Sequence, residues 1–452
     1  MDYIKNRSSL ISHGEKALRE DAVEIMNSAL YVADPYYQVK KLVKLNGEIL
    51  QVGQNSFDLS LPRDIYVIGA GKATYPIAKA LDEILGGLIK EGLVICKHGQ
   101  EGCLERIKIR LAAHPVPDEN SVSGARDLLA IAAKTKAEDI IFCAITGGSS
   151  SLLALPIADM DLSDLQETYR RLLRCGANIV EINAVRKHIC GVKGGRLAAA
   201  VHPRAHLINL TVSDVIGDML DYITCPSVPD TSYLADAQAT LDKYKLWDVI
   251  PERVSAYIRT VGPAGETPKG FPDHQIYNHI IVKGDAACSA ALEKAQALGY
   301  NAMILSTMIE GESKEVGGIF AAVAKEIKYN DRPLPKPAAV IGGGETTMKI
   351  NIKDPGEGGP NQQFALAAAA LIDGQGGTVI VGLDTDGTDG VSSQAGGLVD
   401  GFTMGAARKK KVDITDTLAR FSDAVALREL QDHIITGATG TNVNDLKFLL
   451  VR

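Results

Sequence analysis

The stretch IYVIGAGKAT, Ile65 to Thr74, runs an apolar segment into Gly69-Ala70-Gly71 and then into a lysine, Lys72. Strand, glycine turn and helix start in that order open a parallel α/β unit. A dinucleotide-binding turn requires a third glycine at position 74, where this chain has Thr74, and a Walker loop places Gly-Lys-Ser/Thr after a longer glycine arc. The turn is phosphate-sized but fits neither pattern. A lysine in the first turn of a helix is disfavoured by the helix dipole, so Lys72 beside two glycines calls for an anionic ligand; the plain alternative is an exposed lysine.

Outward from this turn, short apolar runs alternate with helical stretches. DIYVIG, GLVIC, IKIRLAA and DIIFCAITGG, spread over residues 64–148, predict a parallel sheet with crossover helices, and AHLINLTVSDV at 205–215 returns as a further strand with polar residues at its carboxyl end. Apolar residues at helical spacing over 8–33 predict one long amphipathic helix packed on the sheet. A second series begins at NHIIVKGD and continues through NAMILS, KPAAVIGGGETT, GGTVIVGLDTDGTDG and LKFLLVR, repeating the same fold logic without a repeat of fixed period. Between them, 241–274 is rich in Pro and Gly. A chain of 452 residues exceeds what one core usually supports, so two α/β domains are expected, over 1–245 and 275–452.

The composition narrows the class. At 46% hydrophobic, 5% aromatic and 44 glycines the chain suits an α/β enzyme. Net charge is −7, and the only basic run is Arg408 to Lys411, which argues against nucleic acid and anionic membranes as partners. Seven scattered cysteines with no C-x-x-C pair indicate neither a disulfide framework nor a zinc site, and fit a reducing cytoplasm. The amino terminus is polar, unlike a signal peptide, and the longest apolar run, Phe364 to Ile372, is half a membrane span.

Several glycine turns follow apolar strands, and together they suggest anion handling, although such turns also serve tight strand-to-helix geometry. TGGSSS offers the backbone N–H groups of Gly147 and Gly148 and the hydroxyls of Ser149 and Ser150 at a helix start, an arrangement that holds phosphate oxygens; either serine could instead be an N-cap. Asp384, Asp386 and Asp389 fail as a calcium hand, because the twelfth position is Ala395, but suit Mg²⁺ or a solvated turn. In EINAVRKHICGVKGG, helical spacing puts Arg186 and Lys193 on one face where both could approach one anion, with Arg186 the stronger candidate; His188 and His114 are weaker candidates for a base.

In series, GAGKA, HPVPDENS, TGGSSSLLALP, NAVRKHICGVKGG, SDVIGD, GGETT, GTDG and TGTNVND resemble the glycerate 2-kinase family, over nearly the whole chain and in the family's order. The resemblance implies a Rossmann-like amino-terminal domain, a carboxyl-terminal MOFRL domain and an active site in the cleft between them. It also implies ATP- and Mg²⁺-dependent phosphorylation of a small hydroxy acid, D-glycerate, at its 2-hydroxyl. On this basis Lys72 supplies positive charge, Gly69, Gly71, Gly147, Gly148, Ser149, Ser150 and Asn442 hold the nucleotide, and Asp386 or Glu345 holds Mg²⁺. Asp214 orients or deprotonates the acceptor hydroxyl, Arg186 is the further catalytic cation, and a homodimer is one assembly open to the chain. The family's Gly-Gly-Arg-Asn-Gln-Glu is here GGPNQQ, with Pro360 in place of the active-site arginine and Gln363 in place of Glu. TCPSVPD and GTDGVSSQAGG also depart from the family's usual segments. A kinase for a different hydroxy or sugar acid is therefore an alternative. So is an NAD(P)-dependent oxidoreductase, which the missing third glycine and the absence of an acid after GLVIC disfavour.

Overall fold

The computed structural model describes residues 2–100, 102–213, 219–223 and 225–452. Two compact units divide the chain: Pro35–Ile281, and Met1–Asp34 together with Val282–Arg452. The first 34 residues thus belong with the carboxyl-terminal part, and the division falls at 281/282 rather than within 245–275. The stretch 241–274 is not a linker. It forms the helix Glu252–Thr260 and the turn Gly262–Gly265, and Ile250, Val254 and Ile258 join Leu165, Leu172 and Ile182 in a buried cluster of the Pro35–Ile281 unit.

That unit carries a small antiparallel sheet that the sequence reading does not separate out, β1 (Val43–Asn46), β2 (Ile49–Val52) and β3 (Asn55–Asp58). Its main sheet comprises β4 (Ile65–Ala70), β5 (Ile89–Lys97), β6 (Ile107–Ala112), β7 (Ile140–Ile145), β8 (His206–Val212) and β9 (Gln275–Val282), in the order β6-β5-β4-β7-β8-β9. Strands β4 to β8 run parallel, as expected. Both β4 and β7 are buried along their whole length, which explains their unbroken apolar sequences. From β4 the chain winds outward to β5 and β6, then returns to the other side of β4 as β7. The turns after β4 and β7 therefore lie side by side at the switch point where open α/β sheets take ligands.

The other unit is built on β10 (Asn301–Ile309), β11 (Ala338–Gly344), β12 (Thr378–Asp384), β13 (Gly396–Asp400), β14 (His433–Ile434) and β15 (Asp445–Val451), ordered β10-β11-β15-β12-β13-β14. Here the expected repetition of parallel logic fails: only β10 and β11 pair in parallel, and the remaining pairs are antiparallel. The last strand, β15, inserts antiparallel between β11 and β12 and is buried throughout, and β13 and β14 add antiparallel beyond β12.

The expected helix over 8–33 is interrupted. A single turn, Arg7–Leu10, precedes Gly14 at φ +60°, and the helix proper is Lys16–Ala33. Its stripe of Ala22, Val23, Ile25, Met26 and Ala29 is fully buried, and it packs on the helix Ala286–Ala297 and on β12. Arg19, also fully buried, pairs with Asp400 at 2.5 Å and Asp432 at 2.8 Å. All seven cysteines are free, and no helix among the described residues is long and apolar enough to cross a membrane.

Candidate functional sites

At the β4–β7 switch point each glycine has a steric reason. A side chain on Gly69 would run into the Ala144 carbonyl, and one on Gly71, at φ +145°, into Thr146. Thr74 occupies the place of the missing third glycine; its hydroxyl is buried and donates to the Ala144 carbonyl at 3.0 Å. The main chain of Lys72 is fixed on both sides: its N–H donates to the Gly147 carbonyl at 2.8 Å and its carbonyl accepts from Gln100 Nε2 at 2.7 Å. Gly148 lies at φ +85°, and a Cβ there would stand 3.1 Å from Lys72 Cγ and 3.4 Å from the His114 ring.

Lys72, Gly147, Gly148 and His114 are thereby brought together. Gly148, not a serine, is the N-cap of the short helix Ser149–Leu152, and no side chain caps it. Among the described residues the N–H groups of Gly147 and Gly148 and the hydroxyls of Ser149 and Ser150 engage no acceptor. Free amides and hydroxyls gathered beside the Lys72 side chain suit a phosphate.

The basic motif separates into unlike parts. The helix Ile179–His188 ends before Lys193, so Arg186 and Lys193 do not share a helical face. Lys187 is neutralised by Asp221 at 2.7 Å and Asp230 at 2.9 Å. His188 is fully buried between the Ala184 carbonyl at 2.7 Å and Glu266 at 2.8 Å, which holds the helix rather than serving as a base. Lys193 donates to the Leu153 carbonyl at 2.5 Å, at the end of the turn that begins with Gly148. The Arg186 guanidinium stacks on the Tyr169 ring, 4.6 Å from its centroid. Asp214 lies outside the described residues.

In the other unit the register aligns Gly344 with Asp445 and Asp445 with Asp384, so the ends of β11 and β12 meet the start of β15. Glu345, one residue beyond β11, and Asp386, two beyond β12, flank that row. Burial and the neighbouring charges of Asp386 and Asp445 hold Asp384 well above the usual carboxylate range. Burial pushes Asp389 up to about 7, although it accepts from the N–H groups of Asn361 at 3.1 Å and Gln362 at 2.9 Å. Asp445 is held by Asn361 at 2.7 Å and by buried Lys447 at 2.5 Å.

The 439–444 loop, which carries Asn442, folds against the Asp386 turn: Thr439 N–H donates to the Asp386 carbonyl at 3.2 Å, and Val443 N–H to Thr385 Oγ1 at 2.9 Å. Among the described residues no three His, Cys, Asp or Glu side chains form a ready metal cage. Mg²⁺ needs only one or two carboxylates, and the mutually repelling Asp384 and Asp386 would be relieved by a cation, so the donor set fits that ion. Asp445 and Lys447 are the members the sequence reading misses; the closing Asp of TGTNVND is the one signal that pointed there.

Residues 21–259 match the domain of unknown function DUF4147, and 338–445 match the MOFRL family. The chain is 38% identical to the glycerate 2-kinase of Pyrococcus horikoshii, over 96% of this chain and 97% of that protein. It is also 38% identical to the D-glycerate 2-kinase of Thermotoga maritima, over 95% of this chain and 98% of the other. The crystal structure of glycerate kinase from Thermotoga maritima superposes with a TM-score of 0.84 at 37% identity, covering 97% of this chain and all of that one. The chain belongs to the family of proteins that join a DUF4147 domain to a MOFRL domain, the glycerate 2-kinase family.

Proposed function

We propose that this protein is a glycerate 2-kinase, transferring the terminal phosphoryl group of ATP to the 2-hydroxyl of D-glycerate. The observation that carries the reading is the group formed by Lys72, the free amides of Gly147 and Gly148 and the hydroxyls of Ser149 and Ser150 at the sheet's switch point. Gly69 and Gly71 make room for that group, and its amides and hydroxyls cradle phosphate oxygens. Phosphoryl transfer depends on positioning and charge neutralisation more than on a nucleophilic side chain. Lys72, its main chain held on both sides, meets negative charge as it moves between donor and acceptor oxygens. Arg186 is the second cation of the reaction, and Asp214 orients or deprotonates the acceptor hydroxyl. Asn442 belongs to the nucleotide contacts.

Asp386 or Glu345 holds Mg²⁺, and bound Mg²⁺ neutralises phosphate charge. The protein acts in the cytoplasm on small molecules. A coupled assay of ATP consumption with D-glycerate, with phosphorus NMR of the product, tests the reading: 2-phosphoglycerate is expected, and ATP turnover that is indifferent to glycerate and to other small hydroxy acids refutes it. Activity is expected to vanish in EDTA and return with Mg²⁺. An unchanged Mg²⁺ requirement in both Asp386→Asn and Glu345→Gln would reject both as ligands.

A further inference from the structure

Among the described residues, the Pro35–Ile281 unit holds two cations without a counter-charge, Lys193 buried and Arg186 partly buried. Lys193 is 2% exposed and forms no ion pair among the described residues; its one hydrogen-bond partner there is the neutral Leu153 carbonyl. Arg186 has no hydrogen-bond or ion-pair partner among the described residues, its Nε is buried and unsatisfied, and burial pushes its guanidinium below its ordinary value. Beneath it Tyr169 is 5% exposed, and its hydroxyl is likewise buried and unsatisfied.

Cys225 lies within electrostatic reach of both cations, but burial pushes its thiol up, so it is not the missing anion. Lys187, one residue from Arg186, shows what the fold does with a cation it keeps for structure: it supplies two aspartates. Unpaired buried charge and orphaned donors are costly, and they persist where a ligand completes them.

We propose that Arg186, Lys193 and the Tyr169 hydroxyl form a carboxylate subsite that grips the acid group of the acceptor. The inference rests on the reading of the chain as a kinase for a small hydroxy acid, and it names how that acid is recognised. Lys193 is tied to the carbonyl at the far end of the same helical turn whose start, Gly148, lies against Lys72. Five residues of helical rise, Gly148 to Leu153, span about 8 Å. On D-glycerate the carboxylate and the receiving 2-hydroxyl sit on adjacent carbons, so that span takes the acid together with the phosphoryl group passing to it.

The test is calorimetric titration, without nucleotide, of wild type, Arg186→Gln, Arg186→Lys and Tyr169→Phe with sodium D-glycerate, glyceramide and inorganic phosphate, each variant first checked by circular dichroism and thermal melting. Glycerate should bind wild type and glyceramide should not. Arg186→Gln should weaken glycerate binding roughly ten- to a hundredfold, as expected for a lost charge-assisted contact. Tyr169→Phe should weaken it less, and Arg186→Lys, which keeps the charge but neither the stack nor the fork, should fall between them.

Equal glycerate affinity in wild type and folded Arg186→Gln overturns the subsite. Should Arg186→Gln misfold, equal affinity in Arg186→Lys and Tyr169→Phe has the same force. Phosphate binding that depends on Arg186, with glycerate binding that does not, overturns the carboxylate assignment. Glycerate bound through Arg186 but never phosphorylated upholds the subsite and refutes the kinase reading, so the two fail separately.

Discussion

Lys72 illustrates how one residue divides its duties between main chain and side chain. Its N–H ties the β4 turn to the β7 turn, its carbonyl ties the β4 turn to Gln100 in the loop after β5, and alanine would preserve both bonds. Lys72→Ala should therefore fold as the wild type does while losing the charge that meets the migrating phosphoryl group. A contact of that kind is commonly worth about 3 kcal/mol or more, so kcat should fall at least roughly a hundredfold, with the melting temperature unchanged. Turnover near the wild-type rate would remove Lys72 from the mechanism. Pro360 poses the opposite problem, a residue with no donor where the resembling family carries arginine. It stands at the first position of the helix Pro360–Leu371, where a proline's missing N–H costs nothing. Local structure thus accounts for proline there but supplies no substitute for the fork of an arginine. Pro360→Arg should shift the ratio of kcat/KM for D-glycerate over the best alternative hydroxy acid towards glycerate. If glycerate is already the best substrate of the wild type and the ratio does not move, Pro360 has no part in acceptor choice.

Among elements, the helix that Pro360 begins is the most exposed to test. Gly359 offers no side-chain cap, and the carboxylate of Asp389, from a loop 28 residues away, accepts from Asn361 and Gln362 instead. Asp389→Ala should cost about 1–2 kcal/mol of stability, the usual scale of a lost cap. Because burial raises the carboxyl to about 7 in the fold, the folded protein holds a proton that the unfolded chain releases near pH 4. The stability this group contributes is full below about pH 4 and declines as pH rises through 7, so the variant should lose more at pH 5 than at pH 8. Denaturant titration at the two pH values checks the sign. A cap supplied from so far along the chain is invisible to sequence reasoning, which read Asp389 as part of an acidic turn. The same limit explains the sheets. Strands β4 to β8 are legible because their apolar runs and glycine turns are local signals, whereas the antiparallel insertion of Asp445–Val451 is decided by partners from two distant segments. At the site, the glycine turns and Lys72 were readable from local spacing. The pairing of Lys193 with the Leu153 carbonyl was not, since a helix ending at His188 broke the periodicity on which its expected placement rested.

At the scale of the whole molecule, the chain is threaded so that one unit is continuous and the other is not. Pro35–Ile281 holds its own sheets and cores, while Val282–Arg452 is completed by the first 34 residues. The completing segment carries more than apolar surface. Arg19 is the buried partner of Asp400 and Asp432, and removing it would leave the buried Asp400 without its cation and Asp432 with His13 alone. Breaking such a pair by removing one partner typically costs about 3–5 kcal/mol, a large part of the stability of any domain. Residues 35–281 produced alone should therefore melt cooperatively with native-like circular dichroism. Residues 282–452 produced alone should be unfolded or aggregated, and adding a peptide of residues 2–34 should restore structure. Arg19→Met in the full chain should lower the melting of the Val282–Arg452 part and leave the melting of the 35–281 part unchanged. A cooperative melt of 282–452 without the peptide, at the temperature seen in the full chain, would show that the amino-terminal helix is packed on this unit without being needed by it.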